Sequence, residues 1–137
     1  MTAPLTGGCS CGAVRYECTA ESIMAFNCHC RDCQRATGSA YAAFAIFPKA
    51  AVSLKGEPCW YRVIGSSGKP IERGFCPTCG NPMTVRLDAA PDIMGFHAAS
   101  LDDPARYKPA MDLFTASAHP WDLMQADTIK KAGGLAG

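Results

Sequence analysis

The cysteines constrain this chain more than any other feature of its sequence. Nine of the 137 residues are cysteine, and seven of the nine fall into three short clusters. Because nine is an odd number, a framework in which every cysteine forms a disulfide is excluded. In a reducing compartment, cysteines spaced this closely are more often metal ligands than disulfides. The clusters are Cys9-x-Cys11, Cys28-x-Cys30-x-x-Cys33 and Cys76-x-x-Cys79.

Seven thiolates are a natural complement for two zinc ions. Zinc prefers thiolate sulfur in tetrahedral geometry, with four protein ligands in a closed structural site and three in a catalytic site that keeps one position open. The simplest division joins the two outer pairs in a four-ligand site and leaves the middle cluster as a three-thiolate site. Gly12 and Gly80 follow the outer pairs and allow the positive φ that such turns often need.

The residues alone leave other interpretations of these clusters open. Cys76 and Cys79 could form a redox dithiol, although that would leave the first pair unexplained. The middle cluster could be a second structural site, completed by an acid or by His29, His97 or His119. His29 sits between two of the cysteines, so we expect its ring to point away from their metal.

The rest of the sequence favours short strands. Alternating apolar and charged residues at 14–18 are typical of a half-buried strand. Cys18 and Cys59 lie in such patterns and are predicted to be buried apolar residues. One short helix is predicted over Arg31–Thr37, closed by Gly38. The further predicted strands are 23–27, 41–47, 51–54, 59–64, 71–75, 83–87, 93–98 and 111–115.

Composition and charge narrow the class of protein. Lysine and arginine number 13 against 12 acidic residues, so there is no basic surplus for a nucleic-acid partner. The nearly uncharged stretch at 36–47 is shorter than the ~18–20 residues of a membrane span, and residues 1–8 lack a signal-peptide pattern. We therefore expect a cytoplasmic protein with no membrane partner. It would have one domain over residues 5–125 and loose tails at 1–4 and 130–137.

Three motifs together resemble a known protein family. They are GGCSCGAVRY at 7–16, CHCRDCQRATGSA at 28–40 and GFCPTCG at 74–80. In this order and at these separations they resemble the glutathione-dependent formaldehyde-activating enzyme (GFA) family, which also includes the centromere-protein-V group. The likeness runs from about residue 5 to residue 122 and so covers most of the chain.

The resemblance implies a fold and two metal sites. The fold would be mainly β, a β-tent-like arrangement of packed antiparallel sheets, stapled by zinc and with little helix. Two Zn²⁺ ions per chain would be bound, a structural zinc and a second zinc near the substrate. The implied ligands are Cys9, Cys11, Cys76 and Cys79 for the structural zinc, and Cys28, Cys30 and Cys33 for the second zinc.

The resemblance also implies an activity at the three-cysteine site. The enzyme would be a carbon–sulfur lyase of the S-(hydroxymethyl)glutathione synthase type, which adds a thiol such as glutathione to an aldehyde such as formaldehyde. Arg35 and Arg73 are candidates to pair with substrate carboxylates. The alternative is a non-catalytic zinc-stapled β scaffold that binds a small thiol or another protein. Aromatic candidates for the walls of the cleft are Tyr41, Phe44 and Trp121.

Metal content tests the division of the cysteines directly. We expect native mass spectrometry of the purified protein to show two zinc ions per chain, because seven clustered thiolates supply one four-ligand and one three-ligand site. Denaturing spectra recorded in parallel give the metal-free mass as the reference. A folded protein that carries no metal would contradict the assignment of all three clusters.

Overall fold

The computed structural model describes residues 4–65 and 67–135. Within these ranges the chain forms two β-sheets and one α-helix, which confirms the prediction of a mainly β fold with little helix. Four short 3-10 turns complete the regular structure. The strands are β1 (Leu5–Gly8), β2 (Arg15–Cys18), β3 (Met24–Cys28), β4 (Ala42–Pro48), β5 (Val52–Lys55), β6 (Cys59–Ile64), β7 (Pro70–Phe75), β8 (Pro82–Leu87), β9 (Ala90–His97), β10 (Met111–Leu113) and β11 (Ile129–Lys130), and the helix is α1 (Arg31–Thr37).

The two sheets differ in size and share one core. The small sheet has the strand order β1-β2-β5, and the large sheet has the order β11-β10-β3-β4-β9-β8-β7-β6. Pairing is antiparallel except at one edge of the large sheet, where β10 runs parallel to both β3 and β11. Tyr16 and Cys18 of the small sheet pack against Phe47 and Phe96 of the large sheet. The rings of Tyr16 and Phe96 stack with their centroids 3.9 Å apart, which joins the sheets face to face.

The apolar pattern of each strand explains its place in the sheets. The central strand β4 reads AAFAIFP and is buried along most of its length, as expected of a strand covered on both faces. In β2, buried Tyr16 and Cys18 alternate with the more exposed Arg15 and Glu17, so one face meets the core and the other meets solvent. Helix α1 ends at Gly38, whose φ of 69° lies in the left-handed region that favours glycine.

Every strand predicted from the sequence corresponds to an observed strand within a few residues, and the predicted helix has the observed bounds. Two strands were not predicted, β1 because it contains two glycines and β11 because it has only two residues. Of the expected tails, residues 1–3 and 136–137 lie outside the described ranges. Within the expected C-terminal tail, Lys130 belongs to β11. In the same segment, the carbonyl oxygen of Gly133 accepts a hydrogen bond from the backbone N–H of Phe114 at 2.8 Å.

The two unclustered cysteines differ in their surroundings. Cys18 is fully buried in the core between the sheets, as predicted. The prediction of a buried Cys59 is wrong, because Cys59 begins β6, a strand at one edge of the large sheet whose side chains are mostly exposed. The only α-helix of the described ranges has seven residues, and no helix there is long and apolar enough to cross a bilayer.

The stability of this fold should depend on the protonation of His97, at the end of β9. Burial, and secondarily the positive charge of Arg73, lower the pKa of His97 from 6.5 to about 4. At a pH between these two pKa values, His97 therefore binds a proton more readily in the unfolded chain than in the folded chain. Stability should be lost as the pH falls, by roughly 2 kcal/mol between about pH 7 and pH 5.

Urea unfolding of the wild type and of His97→Gln at both pH values measures this effect. The glutamine variant cannot titrate, so its free energy of unfolding should fall less on acidification, by the same roughly 2 kcal/mol. Comparing the two proteins cancels the acid sensitivity of any bound metal, which both would share. If the free energy of unfolding falls equally with pH in the two proteins, this role for His97 is ruled out.

Candidate metal centres

The first and third cysteine clusters meet in one place, which we name the four-cysteine cluster: Cys9, Cys11, Cys76 and Cys79. The first two lie in the turn between β1 and β2, and the last two lie in the turn between β7 and β8. All four sulfurs lie within 4.8 Å of one another. The Cys11 Sγ is 3.6 Å from the Cys9 Sγ and 3.7 Å from the Cys76 Sγ.

The backbone of both turns is shaped to present sulfur. Gly12 and Gly80, which follow the two pairs, each have a φ of 77°, a conformation that other residues rarely adopt. The backbone N–H of Val14 donates to the Cys9 Sγ at 3.4 Å. This bond is the main reason why the pKa of Cys9 falls from 9.0 to about 6, because it stabilises the thiolate. Thiolate is the form that binds a metal ion.

The spacing of the sulfurs fits a tetrahedral metal ion. With zinc–sulfur bonds of about 2.3 Å, the sulfurs of a tetrahedral site lie about 3.8 Å apart, close to the 3.6 and 3.7 Å observed. A disulfide would bring two sulfurs to about 2.05 Å. Because Cys76 and Cys79 lie together with a second pair, the four sulfurs form one donor set that could hold a metal ion.

The middle cluster forms a second donor set, which we name the three-cysteine cluster: Cys28, Cys30 and Cys33. Cys28 ends β3, Cys30 caps the N-terminus of α1, and Cys33 lies in the first turn of that helix. All three side chains are buried, and their sulfurs lie within 4.8 Å of one another. The Cys28 and Cys33 thiols lower the pKa of Cys30, because both donate to its sulfur.

The three-cysteine cluster has three candidate ligands among the described residues. Within the described residues, no histidine, acid or further cysteine joins the three sulfurs. His29 is fully buried elsewhere, with its Nε2 hydrogen-bonded to Asp112 Oδ1 at 2.7 Å and its Nδ1 2.7 Å from Asp122 Oδ2 in a contact that lacks hydrogen-bond geometry. His119 bonds to the glutamine side chain of α1 at 2.6 Å, and the ring of His97 packs against Phe44.

The two aspartates beside His29 are site residues that the sequence analysis missed. Asp112 belongs to β10, and Asp122 lies in the segment that follows; both come from a part of the chain more than 80 residues after His29. Although burial opposes ionisation, hydrogen bonds from His29 and Thr128 lower the pKa of Asp112. Because His29 stands between two of the clustered cysteines, this contact holds their loop against the sheet. No local sequence motif indicates that His29 contacts these two aspartates.

A cavity of about 250 Å³ opens beside the three-cysteine cluster, and all three cysteines line it. Arg73 of β7 also lines it, and its Nη2 lies 3.6 Å from the Cys33 Sγ. Its other terminal nitrogen, Nη1, is buried and has no hydrogen-bond partner within the described residues. Of the two predicted substrate-binding arginines, only Arg73 reaches this cluster, since Arg35 lines a separate cavity next to His119.

The three predicted wall aromatics are divided among different places. Phe44 lines the cavity beside the three-cysteine cluster. Tyr41 packs on His29, with their ring centroids 5.1 Å apart. Trp121 stacks on His119 at the surface, with 68% of its area exposed. Phe44 is therefore the one of the three that borders the clustered cysteines.

Comparison with known proteins identifies relatives that match most of the chain. Residues 4–117 match the model of the family described as glutathione-dependent formaldehyde-activating enzyme. A curated protein of Penicillium rubens, named provisionally as a glutathione-dependent formaldehyde-activating enzyme, is 26% identical over 93% of this chain and 71% of its own length. A crystal structure of a Rhodobacter sphaeroides protein shares the fold with a TM-score of 0.56 and 22% identity, over 92% of this chain and 98% of that chain.

The two clusters should respond differently to loss of one sulfur. We expect Cys79→Ser to lower the free energy of unfolding by about 4 kcal/mol or more, because a structural metal contributes directly to folding. Cys30→Ser should keep the fold and lose only the second metal ion. Urea unfolding together with metal analysis measures both effects.

The exposed Cys59 offers a matched control for this pair. Cys59→Ser removes a sulfur outside both clusters, so its stability and metal content should equal those of the wild type. Global unfolding of Cys30→Ser would show instead that both clusters are structural.

Proposed function

This chain belongs to the glutathione-dependent formaldehyde-activating enzyme family, and on that premise we propose that it adds glutathione to formaldehyde to give S-(hydroxymethyl)glutathione. Such an enzyme is a carbon–sulfur lyase that works at the three-cysteine cluster. The thiol sulfur forms a bond to the carbonyl carbon, and the π electron pair of the carbonyl moves to its oxygen. The proton of the thiol ends on that oxygen, so nothing is oxidised or reduced.

One observation carries the proposal: the three-cysteine cluster has no fourth protein ligand within the described residues, and a cavity lies against it. A structural zinc site is closed by four protein ligands, as the four-cysteine cluster would be. Three ligands and an adjacent space are the arrangement that leaves a position for a substrate atom. The two clusters therefore support different roles in one chain.

Zinc fits both clusters, because their donors are thiolates and their sulfurs are close enough to share one ion. The four-cysteine cluster would hold a structural zinc, and Cys28, Cys30 and Cys33 would hold the second. When bound there, zinc supplies a Lewis acid that keeps a substrate thiol as a thiolate.

Side chains around the three-cysteine cluster support its charge and its position. Three thiolates and one Zn²⁺ sum to a net charge of −1, which favours a cation nearby. Arg73, with Nη2 at 3.6 Å from the Cys33 Sγ, supplies that charge. The buried contact of His29 with Asp112 holds the loop between Cys28 and Cys30 in place. The chain thus orients the sulfurs before any substrate arrives.

The condensation can be followed at equilibrium by ¹³C exchange NMR between formaldehyde hydrate and its glutathione adduct. We expect the zinc-loaded wild type to raise the exchange rate above that of the uncatalysed mixture. Cys30→Ser should return it to the uncatalysed rate, because that variant lacks one sulfur of the open site. Cys59→Ser is the control and should behave as the wild type.

The same spectra separate an enzyme from a carrier. If the protein binds the adduct but leaves the exchange rate unchanged, it is a thiol-binding scaffold and the proposed activity is incorrect. If neither glutathione nor the adduct binds at millimolar concentration, glutathione is excluded as the thiol.

A further inference from the structure

The cavity beside the three-cysteine cluster is much larger than formaldehyde. Its volume is about 250 Å³, and a water molecule in liquid occupies about 30 Å³, so it has room for roughly eight non-hydrogen atoms. Formaldehyde has two such atoms and would fill about a quarter of the space. The rest of the cavity calls for a larger molecule or for a disordered water cluster.

The walls of the cavity select an apolar molecule. Most of its lining side chains are apolar, and they come from strands β3, β4, β7, β8 and β10 and from the segment after β10. Glutathione carries two carboxylates, an ammonium group and two amides, which would lose their hydrogen bonds to water here without finding partners. The cavity is therefore not shaped for the body of that thiol. The apolar side chains that line the cavity include Phe26, Phe44, Ile71, Val85, Leu113 and Phe114.

Arg73 lines the cavity and contacts the cysteines through one of its terminal nitrogens. The Nη1 of Arg73 is buried without a hydrogen-bond partner within the described residues, whereas its Nη2 contacts the Cys33 Sγ. The two nitrogens share one carbon, so the unpartnered one lies beside the same sulfur. A buried donor without a partner is costly, and an acceptor oxygen on a ligand would relieve that cost.

The charge around Arg73 favours a neutral acceptor. Its guanidinium is already opposed by the Cys33 sulfur, and Asp32 also lines the cavity. A carboxylate would bring a further negative charge next to the clustered sulfurs, which is unfavourable in a buried site. A carbonyl oxygen accepts the same hydrogen bond without that charge.

Together these observations describe an aldehyde with an apolar chain. Building on the proposed function, we propose that the enzyme accepts apolar aldehydes of about six to eight carbons, with the carbonyl oxygen at Arg73 Nη1 and the chain in the cavity. The thiol sulfur bonds to the carbonyl carbon, the π pair moves to the oxygen that faces Nη1, and the thiol proton ends on that oxygen. Arg73 would stabilise the negative charge that develops there.

Binding of 2-heptanone to the zinc-loaded full chain tests the inference without any turnover. This ketone has the predicted size and acceptor but reacts poorly with thiols. Acetone has the same carbonyl group and four fewer methylenes, and heptanoate has the chain with a carboxylate. We expect isothermal titration calorimetry to show 2-heptanone binding on the order of 100-fold more tightly than acetone, because each buried methylene favours binding. Heptanoate should bind more weakly than 2-heptanone.

Two variants with matched controls locate the ligand. Ile71→Trp fills the cavity and should abolish 2-heptanone binding, whereas Ile64→Trp, at an exposed position of the same sheet, should not. Arg73→Met removes the donor and should weaken binding about tenfold. Arg62→Met removes an exposed arginine that pairs with Asp88 and should leave binding unchanged. Circular dichroism and zinc content show whether each variant has kept its fold.

The inference and the proposed function can fail separately. Equal affinity for acetone and 2-heptanone, or full binding by a folded Ile71→Trp, would overturn the inference even if formaldehyde is turned over. Tighter binding of heptanoate than of 2-heptanone would assign the cavity to a carboxylate and overturn it as well. Tight binding of 2-heptanone by a protein that leaves the formaldehyde exchange rate unchanged would support the cavity assignment and overturn the proposed function.

Discussion

The sulfurs of Cys11 and Cys76, 65 residues apart in sequence, lie 3.7 Å from each other, and the arrangement of the two sheets rests on this contact. It brings the turn that follows β1 against the turn that follows β7, and so attaches the small sheet to the large one. Four thiol sulfurs this close are stable as thiolates only when a cation offsets their charge. A metal ion bound there would therefore join the two sheets and close a long loop in one step.

The three-cysteine cluster is held in another way, which suits another role. Its three sulfurs come from one short segment at the end of β3 and the start of α1. The support for that segment comes from far along the chain, where Asp112 and Asp122 contact His29. These contacts position the loop, and the space beside the sulfurs is left to the cavity and to Arg73.

Local sequence patterns predicted most of the secondary structure, because the tendency to form a strand or a helix depends largely on neighbouring residues. The apolar run of β4, the alternation of β2 and the glycine cap of α1 act through neighbouring residues only. The patterns failed where tertiary pairing outweighs local preference. The glycine-containing β1 is a strand because it pairs with β2, and the two-residue β11 is a strand because it pairs with β10. Cys59 is exposed because most side chains of β6 lie outside the core, which the local pattern of this strand does not reveal.

The number and spacing of the cysteines, the mainly β character and the family follow from residue types and short intervals along the chain. The folded structure supplied the remaining contacts of the site. It showed that His29 turns to two distant aspartates, and that Arg73 rather than Arg35 reaches the three sulfurs. The reason is physical: side chains meet across strands according to sheet order and register, and these are properties of the whole chain.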